Sequence, residues 1–413
     1  MTKNEDQALL RRAEEILPEI IAWRRAIHAY PELRMETPVT EAFIVKTLRE
    51  IGITDIRSGV GGHGVAAVIE GGLPGKCLGI RADCDGLPIE EQTGLPFASK
   101  NGNMHACGHD AHTAMALGAA KLLYENRHLL RGRVKLIFQP YEEGDGGAKR
   151  MLADGVMENP AVDAVIGLHN NCTPVEEYQP GEILASPEPA SCNIFAYEAT
   201  FFGDNGHVCL SRSLSSSVYM ACEAVTKIAA LPEPGPDTIN AVTVVQGGVR
   251  NNVLPETCRI EGCVRAYDRA LQDEMRIQVE NILHETAEKH GGRVEITKTI
   301  DVMSTENDRQ MYEMFCRIVD SVWPERPCRE LVERQMIGED FSRFADLVPG
   351  IYFRLYTKPL CSSYPLHHPK FDVHEPAMSR GSAAFAAFAL HWQDEIPTGE
   401  ETAHLYDGGK NDE

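Results

Sequence analysis

A chain of 413 residues with 43% apolar side chains is longer than one hydrophobic core usually supports, so two domains are expected. Its formal charge of −21 excludes a surface built to meet nucleic acid or anionic lipid, which are reached through an excess of Lys and Arg. No segment approaches the roughly 18 uninterrupted apolar residues of a membrane span, and the charged start MTKNEDQALLRRAEE does not read as a signal peptide. Twelve Cys stand singly, without CxxC or disulfide-scaffold spacing, so a reducing, cytoplasmic setting is the expectation.

Residues 5–29 carry Leu9, Leu10, Ala13, Ile16, Leu17, Ile20 and Ile21 at helical spacing, with Pro18 placed to kink the helix or divide it in two. A second amphipathic helix is expected over 37–51, stopped by Gly52. Apolar runs at 65–69, 77–80, 134–138 and 162–168 read as strands, with a helix over 111–125 between them. Alternating strands and helices predict an α/β fold whose mixed sheet has covered faces and gathers ligands beyond its strand ends. The texture changes near Ser191. Strands at 193–202, 238–246, 258–266 and 293–298, with helices at 215–231 and 271–291, give a β-α-β-β-α-β order, the mark of a smaller ferredoxin-like α+β domain. The expected organisation is a discontinuous catalytic domain at 1–190 and 305–392 with an inserted domain at 191–304. A helix at 308–323, a strand at 351–355 and an alanine-rich helix at 381–392 complete the first domain, and the acidic tail 393–413 reads as disordered.

The stretch 104–120, MHACGHDAHTAMALGAA, sets one Cys, three His and one Asp just ahead of an apolar run. Thiolate and imidazole are the side chains that borderline metals prefer, and Gly108 lets Cys107 and His109 turn toward one ion. Three of the predicted strands lead into residues of the same kind: Asp83 and Asp85 after the second, Glu142-Glu143 after the third, and His169 at the end of the fourth. Neighbouring carboxylates on an extended chain point to opposite sides, so one can bind metal while the other handles a water proton. Either His169 or the His367-His368 pair can supply the last nitrogen ligand. Asp83 or Asp85 can accept the far N–H of a ligand His and fix its tautomer.

Taken in series, RADCDGLPIEEQTG, MHACGHDAHTAMALGAA, FQPYEEGDGGAKRML, GLHNN, GHV, NNVLPE, IGEDF and LHHPKFDVHE resemble the M20 metallopeptidase family. The nearest branch is that of hippurate hydrolases, aminoacylases and the plant indole-acetyl-amino-acid hydrolases. The resemblance implies a metal-dependent amidohydrolase that cleaves the amide bond of an N-acyl amino acid, with dipeptidase or carboxypeptidase action as the alternative. It implies two divalent ions, Zn, Mn, Co or Ni, held by Cys107, His109, Glu143, His169 and His367. Glu142 matches the general acid/base, and Asp83 and Asp85 stand behind the ligands. His207 matches a residue lent to the partner's site in a homodimer built through the inserted lid domain, where it stabilises the oxyanion. Asn252 and Arg265 match the residues that grip the substrate carboxylate. The chain departs from the branch at GDNGHVCLSR, where GKGGHAAxPH is usual, at Tyr141, where Ala is common, and at His368 beside His367. A rival reading makes Cys107 a metal-independent nucleophile with His109 or His112 as base. A binding protein that has lost turnover is a third.

Overall fold

The computed structural model describes residues 1–393 apart from 145, 174–176, 233, 332–335 and 361–363. The acidic tail beyond Gln393 lies outside the described residues.

Helices α1 (Lys3–Glu15) and α2 (Leu17–His28) meet at Ile16, with Pro18 in the first turn of α2, where a missing N–H costs no helical bond. The chain therefore divides the long helical pattern where proline permits. Helix α3 (Pro38–Ile51) ends at Gly52 in the left-handed conformation. Next come β1 (Ile56–Val60), β2 (Gly64–Glu70), β3 (Leu73–Asp83), α4 (His109–Glu125), β4 (Arg131–Gln139), α5 (Gly147–Ala153), β5 (Ala164–Asn171) and β6 (Ile183–Ala185). A second group follows: β7 (Asn193–Phe202), β8 (Gly206–His207), α6 (Ser217–Ala229), β9 (Thr238–Gly247), β10 (Val253–Leu254), β11 (Thr257–Ala266), α7 (Arg269–Lys289) and β12 (Arg293–Val302). The chain closes with α8 (Arg309–Val322), β13 (Arg329–Glu330), α9 (Ser342–Ala345), β14 (Gly350–Tyr356) and α10 (Met378–His391).

These elements form two compact units, Met1–Glu188 with Asn307–Val332 and Arg343–Glu413, and Pro189–Glu306 with Glu333–Ser342. The first holds an eight-stranded mixed sheet in the order β1-β2-β4-β3-β5-β14-β6-β13. Strands β4, β3, β5 and β14 are parallel, so their carboxyl ends share one edge. Helix α4 packs on α10, α2 and β3, and its apolar side chains from Ala111 to Leu123 are buried. Each such Leu contributes about 2 kcal/mol relative to exposure. The approach of α4 to α10 is close enough that a Cβ on Gly381 would stand 2.3 Å from Met115 Sδ.

The second unit carries a four-stranded antiparallel sheet in the order β12-β7-β11-β9 with α6 and α7 packed on it. The sequence reading assigned all of 305–392 to the first domain. Instead, Met336, Ile337 and Gly338 pack with the second unit: Arg265 Nη1 donates to Met336 O at 2.7 Å, Cys192 N donates to Ile337 O at 2.9 Å, and Gly338 abuts Ile194. Contacts made from far along the chain override sequence position there.

Candidate metal centre

At the shared strand edge, Asp83 closes β3 in register with Gln139 at the end of β4, and His169 in β5 pairs with Arg354 of β14. Gly108, with φ 85°, turns the chain from Cys107 into α4. A Cβ there would stand 2.0 Å from Asn170 Nδ2, which donates to Gly108 O at 3.1 Å. The helix thus begins two residues earlier than its apolar pattern suggested, and His109 is its first residue.

His109 Nδ1 donates to Asp85 O at 2.9 Å, with Asp85 Oδ1 at 3.3 Å. That fixes the tautomer and leaves Nε2 facing inward, 3.8 Å from Asp83 Oδ2, 3.9 Å from Glu142 Oε2 and 4.0 Å from Glu143 Oε1. Asp85 also accepts the backbone N–H groups of Glu142 and Glu143, at 3.1 and 3.3 Å, and so ties the carboxylate pair to the ligand helix. His169 Nδ1 donates to Asn170 O at 2.7 Å and presents Nε2 to Cys107 Sγ at 3.3 Å. His367 has a left-handed backbone, φ 65°, pinned by its N–H to Ala106 O at 2.8 Å, and its Nε2 lies 3.1 Å from Glu143 Oε1. Its neighbour His368 instead accepts the N–H of Lys370 and stacks on Tyr364. Geometry therefore separates the two: ligand atoms of Cys107, Glu143 and His367 fall within 4.8 Å of one another, as do those of Cys107, His109 and His169.

The charges around this centre explain its protonation. Burial alone would lower the His109 pKa, but Asp83 first, then Asp85 and Glu143, raise it to about 10. Burial and the carboxylates of Glu143 and Glu142 hold the Cys107 thiol well above its ordinary value. Burial, with His112 and Arg354 nearby, keeps His169 neutral and its Nε2 lone pair available.

His112, at first as promising as His109, has both nitrogens engaged: Nδ1 donates to Asp83 Oδ1 at 2.6 Å, and Nε2 accepts the N–H of Asn170 at 2.9 Å. Asp83 Oδ2 accepts from Arg81 at 2.8 Å, so both of its oxygens are held. The metal-independent reading loses its bases on this geometry. His112 is fully engaged, His109 is turned to carboxylates, and the ring beside Cys107 is that of His169.

Sequence reasoning passed over one cluster. Asp110, one residue past His109, accepts from His28 Nδ1 at 2.7 Å and from Arg24 Nε at 3.0 Å. Arg24 is 1% exposed and also donates to Asp372 and Glu375, while His28 Nε2 reaches Glu91 at 3.2 Å. A buried charge survives only when paired, so this network anchors the start of α4.

In the second unit, β8 pairs with β10, setting His207 opposite Val253, and Val208 N donates to Asn252 O at 3.0 Å. His207 and Asn252 are therefore neighbours, and both are exposed. Arg265 lies on β11 opposite Ile194 of β7 and Ile239 of β9.

Residues 79–391 match the family described as peptidase family M20/M25/M40. The chain belongs to that family. It is 33% identical over 405 residues to thermostable carboxypeptidase 1 of Saccharolobus solfataricus, covering 94% of this chain and 99% of that protein. It is 36% identical over 301 residues to an N-acyl-L-amino acid amidohydrolase of Geobacillus stearothermophilus, covering 71% and 79%. Among solved structures it is similar to a Bacillus subtilis dinuclear metal-binding peptidase from the M20 family, with a TM-score of 0.75 and 29% identity over 92% of this chain and 99% of that one.

The M20 chain is a metal-dependent hydrolase of linear amides, and its cofactors are two divalent metal ions. Its own residues fit them. His109 Nε2 is buried without a hydrogen-bond partner among the described residues, the Cys107 thiol faces the His169 imidazole at 3.3 Å, and the carboxylates of Asp83, Glu142 and Glu143 approach His109 Nε2 to within 3.8–4.0 Å. Among the described residues no helix is long and apolar enough to cross a membrane.

Proposed function

We propose that this protein hydrolyses N-acyl amino acids to a carboxylic acid and a free amino acid in the cytoplasm, with Cys107, His109, Glu143, His169 and His367 as the residues that would hold the two ions. Zinc or manganese suits a set that mixes thiolate, imidazole and carboxylate, and cobalt and nickel are accommodated by the same donors. The ions supply a lowered pKa for water and polarise the scissile carbonyl.

The observation that carries the proposal is the division of labour between adjacent carboxylates. Both carboxylates approach the unpartnered His109 Nε2, Glu142 Oε2 at 3.9 Å and Glu143 Oε1 at 4.0 Å, and Glu143 is the one that also meets His367 Nε2, at 3.1 Å. Glu142 takes a proton from the attacking water and returns it to the leaving nitrogen, so one group serves as base and then acid. Asp85 keeps His109 aimed throughout. His207 of the partner subunit stabilises the oxyanion, and Asn252 and Arg265 hold the substrate carboxylate, to which a guanidinium fork is matched. A homodimer through the second unit is supported by exposed Val208, Leu210, Val249 and Val253 around the β8–β10 ribbon.

The similarity to a carboxypeptidase favours a second reading, peptides with a free C-terminal carboxylate, on the same machinery. A panel of N-acetyl, N-benzoyl and longer N-acyl amino acids, set against dipeptides and blocked peptides with each of the four metals, tests both. Preferential turnover of acylated single amino acids supports the first. Preferential release of C-terminal residues from peptides replaces it with the second.

A further inference from the structure

Away from the metal centre, Cys316 on α8 and Cys328 just before β13 stand with their sulfurs 3.0 Å apart. Both are partly exposed, and no other two thiols among the described residues lie in hydrogen-bonding contact. A disulfide needs a separation of about 2.04 Å, so the sulfurs have only about 1 Å to close. The pair lies in Asn307–Val332, the part of the first unit between the two points where the chain passes to and from the second.

We propose that Cys316 and Cys328 are a reversible dithiol–disulfide couple, oxidised by hydrogen peroxide, that links α8 to the start of β13. Cys316 is the attacking sulfur: its S–H points to Cys328 Sγ at 3.0 Å while the Cys328 S–H is turned to Arg329 O at 4.0 Å, and the contacts with Cys328 and, against the effect of burial, with Tyr312 hold the Cys316 pKa below the ordinary thiol value. The same contact pushes Cys328 upward and keeps its proton in place. The Cys316 thiolate attacks one peroxide oxygen, the O–O bond breaks, and hydroxide leaves and takes up a proton to become water. Cys328 then attacks the sulfur of the resulting sulfenic acid, the S–O bond breaks, and the hydroxyl departs with the Cys328 proton as a second water. Two thiols are oxidised and one peroxide is reduced. The bond closes a loop within the Asn307–Val332 segment, which stabilises the folded chain through the entropy of the unfolded one.

Peptide mapping of the full, metal-loaded chain tests this directly, because trypsin cuts after Arg317 between the two cysteines. After treatment with a few equivalents of peroxide and blocking of free thiols, the expected product is a Cys316–Cys328 cross-linked peptide pair that dithiothreitol separates, with two thiols lost per chain and an unfolding temperature raised by a few degrees. Cys328→Ser should leave a sulfenic acid at Cys316 that dimedone captures. Oxidation of Cys316 to sulfinic or sulfonic acid without cross-linking would overturn the proposal. So would disulfides confined to other cysteines, or no reaction at the pair, and the unsubstituted chain alone decides among these outcomes.

Discussion

His109 is buried, with Nδ1 held by Asp85 and its ring seated on the first turn of α4, whereas His207 stands exposed on a two-residue strand, its Nδ1 accepting the N–H of Cys209 two positions on. The same side chain meets opposite surroundings. A ring that ligates metal must be aimed before the ion arrives, so the fold supplies a partner for its far nitrogen. A ring that meets substrate from outside can be held by its own turn. The two regions should therefore fail differently when altered: changes at the strand edge should act on metal, on proton transfer or on both, and changes at His207 on turnover alone.

The largest effect expected is from Glu142→Gln, which keeps the shape of the side chain and removes its basicity. Turnover should fall on the order of 10⁴-fold with metal content unchanged, as elemental analysis beside kinetics would show. Loss of metal in that variant would move Glu142 among the ligands. His207→Ala should lower kcat by about 10²- to 10³-fold, again with both ions retained; an unchanged kcat would remove it from the oxyanion. For Asp85→Asn, the expectation is metal affinity weakened by about 10- to 100-fold in a competition titration, because His109 loses its orienting carboxylate. Unaltered affinity there would erase the contrast between the two histidines.

The smallest effect concerns stability. Burial opposes the charge on His28, but Asp110 at 2.7 Å overrides it and raises its pKa to about 9 from 6.5. A group with a raised folded pKa contributes fully below its unfolded value and loses that contribution as pH rises through the folded one. Stability against thermal unfolding should therefore fall between about pH 6.5 and 9, by on the order of 3 kcal/mol. His28→Gln should flatten that slope, and an identical slope in the variant would assign it to another group.

The candidate site was legible in part because several of its residues stand at a recognisable local event, Asp83, Glu142-Glu143 and His169 at or just beyond predicted strand ends and His109 after a glycine. Their spatial meeting follows from parallel strands that end on one edge, a topological regularity that the α/β alternation already implied. The network of Arg24, His28 and Asp110 was not legible, since its partners lie 63 to 351 residues apart and leave no periodic trace. Nor were β1, whose IRSGV carries no apolar alternation, or β6 and β13, which are only three and two residues long. His367 could not be told from His368 in sequence. A backbone bond to Ala106 separates them, and only the folded chain makes it.

The most direct test is the metal content and turnover of the native chain before and after exhaustive chelation. Two divalent ions per chain, with activity lost on their removal and restored on their return, is the expected result. Full turnover by a chain stripped of metal would contradict the assignment of Cys107, His109, Glu143, His169 and His367.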